Sequence, residues 1–284
     1  VNDVTTRRPS ELELGRRAYR TTQSVRSILI AIASTLALAL ILWLTVINTP
    51  GWAAVQRTFF DPETFVQAIP RVAEGFLLNL QLLGISVVTV AITATLIAVI
   101  RTLRGPVFFP LRAIAAGYTD IFRGLPLIIV LYLVGYGIPG LLNERIPVVV
   151  LGTIALTLTY SAYVSEVIRA GIEAVHPSQR LAARALGLSY AKTLRIVVMP
   201  QAVRKMTPAL MNDFVAMQKD VGLISVLGAV DAVRGAQLET AQAYNFTPYI
   251  VAGLLFILLA IPTIRLADWY TARLRSREQM GSIV

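Results

Sequence analysis

Within MPQAVRKMTPALMNDFVAMQKDVGLISVLG, residues 199–228, the polar side chains Asn212, Asp213, Lys219 and Asp220 interrupt a mostly apolar run. An ammonium and two carboxylates this close can bind a zwitterion, hold an ion or neutralise one another. On a helix, Asn212, Ala216 and Lys219 share one face, and Asp213, Met217 and Asp220 share the adjacent one. From Lys205 to Lys219 is 14 residues, about 21 Å of continuous helix. A charge at such depth costs at least ~2.5–3.5 kcal/mol when it faces lipid. These groups must therefore face a cavity or partners. In one reading they line a wet translocation path and meet a zwitterionic substrate. In the other, Lys219 and Asp220 satisfy each other or neighbouring helices, at a gate or helix break that Gly222 permits. Arg123, just before Gly124 and Pro126, poses the same question, with an interfacial arginine whose stem snorkels to water as the alternative.

Nothing else in the chain supplies a reaction centre. There is no G-x-x-x-x-G-K-[ST] phosphate loop, no H-E-x-x-H and no G-x-S-x-G. The absence of cysteine excludes disulfides, thiolate metal sites and a thiol nucleophile. The single histidine, His176, stands before Pro177 and reads as a loop residue, since one histidine cannot build a typical zinc site. The expectation is a chain that is not an enzyme and carries no cofactor or metal of its own.

The elements that hold these residues are membrane spans. Hydrophobic residues make up 56% of the 284 and charged residues 15%, against about 45–50% and about 25% in soluble domains. Six runs can each cross a hydrocarbon core about 30 Å thick: 27–47, 77–100, 111–137, 147–169, 201–227 and 248–270. They are too long for barrel strands and do not alternate. The expected fold class is thus an all-α membrane protein with about six transmembrane helices. The net charge of +10 comes with no aromatic-interleaved basic patch, so no nucleic-acid partner is expected. Its arginines cluster at span ends, which fits positive-inside topology and attraction to anionic membrane lipid.

Arg7, Arg8, Arg16, Arg17, Arg20 and Arg26 precede the first span, Arg101, Arg104 and Arg112 follow the second, and Arg273, Arg275 and Arg277 follow the last. The alternate loops are poorer in basic residues. Both termini are therefore expected in the cytoplasm of a bacterial inner membrane. The organisation expected is a basic arm over 1–26, loose or lying on the membrane surface, an additional uncleaved helix over 27–47, a transmembrane domain over 75–270 and a tail over 271–284. Trp43, Trp52 and Trp269 fall near span ends and read as interfacial anchors.

Between the fourth and fifth spans lies a short basic helix. His176–Pro177 ends the preceding helix, Ser178 can cap a new one, and Gly187 can end it in a left-handed conformation. Ser189 can cap the helix that follows, which Pro200 should interrupt. Leu181, Ala182, Ala185 and Leu186 form an apolar stripe, and Arg180 and Arg184 are four residues apart on one face. A helix shorter than ~12 residues is marginal alone, so something must bury that stripe. A bilayer surface, with the arginines on lipid phosphates, is one answer; a partner protein is the other.

Four blocks carry a family resemblance. Ser178, Gln179, Arg180, Leu181, Ala182, Ala183, Arg184, Ala185, Leu186 and Gly187 resemble the loop G-Q-x-E-A-A-x-A-L-G of permease subunits of ATP-binding-cassette importers of the polar amino acid uptake family. YTDIFRGLPL (118–127), AYVSEVIRAGI (162–172) and the segment 199–228 quoted above are similar to that family's Y-x-E-x-F-R-G-T-P-L, A-Y-x-x-E-x-x-R-G-G-I and L-P-Q-A blocks. The resemblance spans about residues 75–270, in order and at matching spacing. It implies a type I importer permease core (MetI-like), in which residues 178–187 form a cytoplasmic coupling helix docked on an ATPase. It also implies two ATPase subunits that bind ATP and Mg, a second permease, identical or related, an extracytoplasmic amino acid binding protein, and amino acid import by alternating access. Departures are Leu181 in place of the family's acidic residue, Ser178 for Gly, Leu125 for Thr, and KDVGL for K-D-[ST]-S-L. A rival reading is an ion-coupled secondary amino acid carrier with Asp213 or Asp220 as its ion site, although the matched halves typical of such carriers are not evident.

Overall fold

The computed structural model describes residues 10–103 and 105–281. Arg7, Arg8 and Arg104 lie outside the described residues, as do the side chains of Arg16, Arg17, Arg275 and Arg277. The chain divides into two compact units after Thr58. In the first, helix α1 (Glu11–Leu42) starts where the Ser10 side chain accepts a hydrogen bond from the Glu13 amide. It continues into a π-helical turn, Trp43–Ile47. Much of the stretch expected as a loose or surface-lying arm is thus one helix with the first apolar run. Every described side chain of α1 is exposed, as a lipid-facing rod requires. The short helix α2 (Trp52–Phe59) follows.

The second unit consists of helices and short connections, with no strand among the described residues. Helix α3 (Pro62–Thr102) is 41 residues long and capped by Asp61, whose carboxylate accepts from the Thr64 amide. Next come α4 (Phe109–Gly124), α5 (Leu127–Leu142) and α6 (Val148–Glu173). The third apolar run was expected to be one span. Instead α4 and α5 meet at 110°. Pro126 forces the preceding Leu125 out of helical geometry, to φ −93° and ψ 133°. The fifth run, 201–227, lies within one helical segment, Tyr190–Leu227, and the bend comes after it. Beyond α7 (Pro177–Ala185) and the single turn α8 (Tyr190–Lys192), the chain passes through a π-helical stretch, Thr193–Val198, into α9 (Met199–Asp220). Pro200 does not interrupt this helix. It sits in the first turn of α9, where a missing amide is tolerated, and the wider π turn before it accommodates the ring.

After Asp220 the helix tightens to a 3-10 stretch, Val221–Leu227, and ends at Gly228 with φ +87°. The helix break that Gly222 was expected to permit lies instead at Gly228; at Gly222 the helix continues in the 3-10 form. Helix α10 (Ala232–Ala243) then departs at 54°, and α11 (Thr247–Gly281) is the last element. Four helices are long and apolar enough to cross a membrane, six if each bent pair counts as one span, among the described residues.

Helix α3 is the spine, packing along α6, α10 and α11, while α9 lies between α6 and α11. The main core joins Leu82, Val130, Leu131, Leu156, Val221 and Ile224 across α3, α5, α6 and the 3-10 stretch. A polar lock holds the bend between the fifth span and α10. Asn79 of α3, 1% exposed, donates to the Val221 carbonyl and to Asp231 Oδ2, both at 3.0 Å, and accepts from the Ala232 amide. Asp231, fully buried, also caps α10 through the Arg234 amide at 2.8 Å. Next to this lock, Gly75 lets α3 touch the chain at Asp231: a Cβ there would lie 2.3 Å from the Asp231 carbonyl carbon.

Candidate functional site

The short basic helix is α7. Its cap differs from expectation. His176 and not Ser178 is the N-cap, its ring nitrogen accepting from the Ser178 amide at 3.3 Å. Pro177 takes the first helical position, where its missing amide is no loss. The C-terminus forms a Schellman motif. The Leu188 amide donates to the Ala183 carbonyl at 3.1 Å and the Gly187 amide to Arg184 at 2.9 Å. Gly187 has φ +82°, the geometry expected of it.

One edge of α7 is held by the chain and another is not. Ala183 is buried, and Arg180 donates from Nη2 to the Ile172 carbonyl at the end of α6. By contrast Leu181 is 69% and Leu186 84% exposed, and Ala182 and Ala185 are exposed as well. Ser178, Gln179 and Arg184 are likewise open to solvent. The apolar stripe is unburied within this chain.

The root of α7 is joined to α9. Val175 packs with Val198 and Ala202 in a small buried cluster. Lys205 donates to the Ala174 carbonyl at 2.9 Å, closing the end of α6. Gly171 sits so close to α9 that a Cβ would lie 2.8 Å from the Met206 Cβ. The root of α7 is thus packed against the N-terminal half of α9 with little slack.

On the same helix, Asp213 faces a cavity of about 390 Å³ between α3, α6 and α9, lined by Val90, Tyr160, Val164, Leu210, Phe214 and Met217 among others. Its Oδ2 is buried and accepts no hydrogen bond among the described residues. Tyr160 borders this cavity and donates to Asp220 Oδ2 at 2.7 Å. Arg123 stacks over the Tyr163 ring at 5.9 Å, and the Tyr163 hydroxyl donates to the Arg123 carbonyl. The Tyr160 and Tyr163 ring centroids lie 6.4 Å apart, which joins the two groups.

The structure thus gathers Arg123, Asp213 and Asp220 around Tyr160 and Tyr163. It does not bring Lys219 to Asp220. Lys219 is exposed and has no ion-pair partner among the described residues. Asn212 also parts from the group. It lines a different groove, with Met211, Val215 and Asp268, between α9 and α11.

Sequence reading missed Tyr160, whose role depends on a neighbour 60 residues away. It also missed the ion-pair cluster in which Arg101 bridges Glu166 at 2.6 Å and Thr119 at 3.1 Å, with Arg169 paired to Glu166 and Glu173. The Glu166 and Arg169 spacing was visible as part of a motif, but the α3 partner was not.

Comparison with known proteins gives the family. Residues 105–276 match the family of binding-protein-dependent transport system inner membrane components. The arginine transport system permease protein ArtQ of Bacillus subtilis is 35% identical over 203 residues, covering 71% of this chain and 91% of that protein. The putative glutamine transport system permease protein GlnP of Rickettsia conorii is 36% identical over 191 residues, covering 67% and 86%. A crystal structure of an amino acid ABC transporter with histidines superposes with a TM-score of 0.69 at 32% identity, over 75% of this chain and 98% of that one. The MetNI methionine ABC transporter, in an inward facing conformation, shares the fold with a TM-score of 0.57 at 16% identity, over 76% and 99%. Nothing in these matches favours the ion-coupled carrier. By fold, by sequence and by its pattern of spans, the chain belongs to the binding-protein-dependent transport system inner membrane component family, the membrane permeases of ATP-binding-cassette transporters.

Proposed function

We propose that this permease forms one half of the translocation path of an ATP-driven amino acid importer, and that α7 is its coupling helix. The observation that carries the reading is the exposed stripe of Leu181, Ala182, Ala185 and Leu186 on a helix whose other edge is anchored. Residues 178–187 dock on an ATPase subunit, one per permease, and ATP and Mg are bound there and not in this chain. The small side chains of Ala182 and Ala185 permit close approach. Leu181 replaces the family's acidic residue, so docking relies on shape and apolar contact more than on charge.

In this account ATP binding draws two ATPases together. Each α7 moves inward, and its rigid root, Val175 with Val198, Ala202 and Lys205, carries α9 with it. Arg123, Asp213 and Asp220, organised by Tyr160 and Tyr163, meet the ammonium and carboxylate of an amino acid, while Lys219 and Asn212 face other surfaces of the path or of a second permease, identical or related. An extracytoplasmic binding protein delivers the substrate. The termini and α7 lie in the cytoplasm of a bacterial inner membrane, from the placement of arginine. Residues 75–270 form the permease domain, and α1 carries the added span with Arg20 and Arg26 on its N-terminal half.

The test is uptake in proteoliposomes containing this chain with its co-purified partners. The reading expects internal ATP to drive amino acid accumulation in the presence of a protonophore. Uptake that stops with the protonophore and ignores ATP contradicts it.

A further inference from the structure

The groove behind α7 is not explained by docking. A cavity of about 390 Å³ lies between α7, the last two turns of α3, the end of α6 and the segment leading into α9. Its walls are mostly apolar, with Ala98 and Val99 of α3, Ile168 and Ile172 of α6, and Leu194 and Val198, and they also carry the hydroxyl side chains of Thr95, Thr102, Tyr190 and Thr193. The α7 residues that line it are Pro177, Arg180, Leu181 and Arg184, which is one face at helical spacing. Ser178, Ala182, Ala185 and Leu186 do not line it. The two faces of α7 thus differ: Ala182, Ala185 and Leu186 point away from the slot, both arginines lie over it, and Leu181 stands at the border of the two.

Neither arginine has a carboxylate partner among the described residues. Arg180 is held by the Ile172 carbonyl, a neutral acceptor, so its charge is uncompensated. At position 181, between them, this chain has leucine where the resembling family has an acid. The groove therefore has two positive groups at its mouth and no negative one, and apolar walls behind. From Thr102 to Thr95 is seven residues of α3 along the slot, about 10 Å. That is about two-thirds of one leaflet, taken as half of a ~30 Å hydrocarbon core.

We propose that this groove is a binding site for one anionic glycerophospholipid, its phosphate on Arg180 and Arg184 and an acyl chain between α3 and α6. Arginine suits a phosphodiester because its guanidinium gives paired, charge-assisted hydrogen bonds, and the apolar wall selects an amphiphile over a free anion. A lipid seated here would also pack beneath α7 and fix its height at the membrane surface.

The experiment is native mass spectrometry of the full chain, with its co-purifying partners, released from nanodiscs of equal phosphatidylglycerol and phosphatidylcholine. The expected result is retention of one phosphatidylglycerol per chain. Retention falls roughly tenfold in Arg184→Gln and in Leu181→Glu, the size expected for losing or opposing one charge-assisted contact. Both positions are exposed, so these variants leave the fold intact. Arg180→Gln should behave alike, but it also removes the tie to Ile172. Equal retention of the two lipids, retention unchanged in both exposed variants, or displacement of the lipid by millimolar inorganic phosphate alone overturns the proposal.

Discussion

The Tyr160 hydroxyl lies 2.7 Å from Asp220 Oδ2, while Lys219, one residue before that aspartate, faces away without a carboxylate partner among the described residues. The ammonium and carboxylate that sequence proximity invites one to pair are thus separated by the helix. Asp220 is held by α6, and Lys219 is exposed on the surface of α9.

This separation makes opposite forecasts for two substitutions. Tyr160→Phe removes a hydrogen bond to a charged group, worth ~1.5–3 kcal/mol, and should lower the thermal midpoint of the purified protein along with transport. Lys219→Ala should leave the midpoint within a degree or two and reduce uptake several-fold, with the ATPase still co-purifying. Loss of the ATPase in Lys219→Ala would assign that residue a structural role.

Asn79 is the second test. Its side chain satisfies the Val221 carbonyl, the Ala232 amide and Asp231 at once. Asn79→Leu keeps the volume but leaves buried polar groups unpaired, at ~1–3 kcal/mol each. The expected outcome is a strongly destabilised protein, read by thermal unfolding in detergent. Asn79→Asp should not rescue it, because two carboxylates would then face each other at Asp231.

Gly75 tests the same region by sterics. A Cβ would meet the Asp231 backbone at 2.3 Å, and backbone cannot swing aside as a side chain can. Gly75→Ala should reduce the yield of folded protein sharply. Gly84→Ala, in the same helix with open space around it, should have no such effect when the two are compared by size-exclusion profile.

Gly187 and Ala182 test the coupling role. Gly187→Ala puts a Cβ on a left-handed residue, a cost of ~1–2 kcal/mol confined to the Schellman turn. Ala182→Asp leaves α7 folded but places a charge on its exposed face. Both variants should insert normally while ATP hydrolysis and uptake become uncoupled. Unchanged uptake in Ala182→Asp argues that this face touches nothing.

Much of this was legible before the fold was known. The limits of α7 follow from local chemistry, since His176–Pro177 and Gly187 act within a few residues of themselves. The apolar runs mark the spans for the same reason. What stayed hidden is non-local. Pro126 announces a break, but its 110° angle depends on where α5 finds its core against α6 and the 3-10 stretch. Asn79 in an apolar helix gives no sign of partners 142 and 152 residues away. Asn212 and Asp213 are adjacent in sequence, yet one faces α11 and the other the α3–α6 cavity, a division that helix periodicity allows but cannot orient.

The chain contains no cysteine, which makes one crosslink unusually clean. With Ala185→Cys as its single thiol, the permease should form an adduct with an ATP-hydrolysing partner through a short thiol-to-amine crosslinker in inverted membrane vesicles, with a yield that changes when ATP replaces ADP. Labelling of that cysteine in intact spheroplasts by a membrane-impermeant reagent, or no ATPase adduct under either nucleotide, contradicts the account.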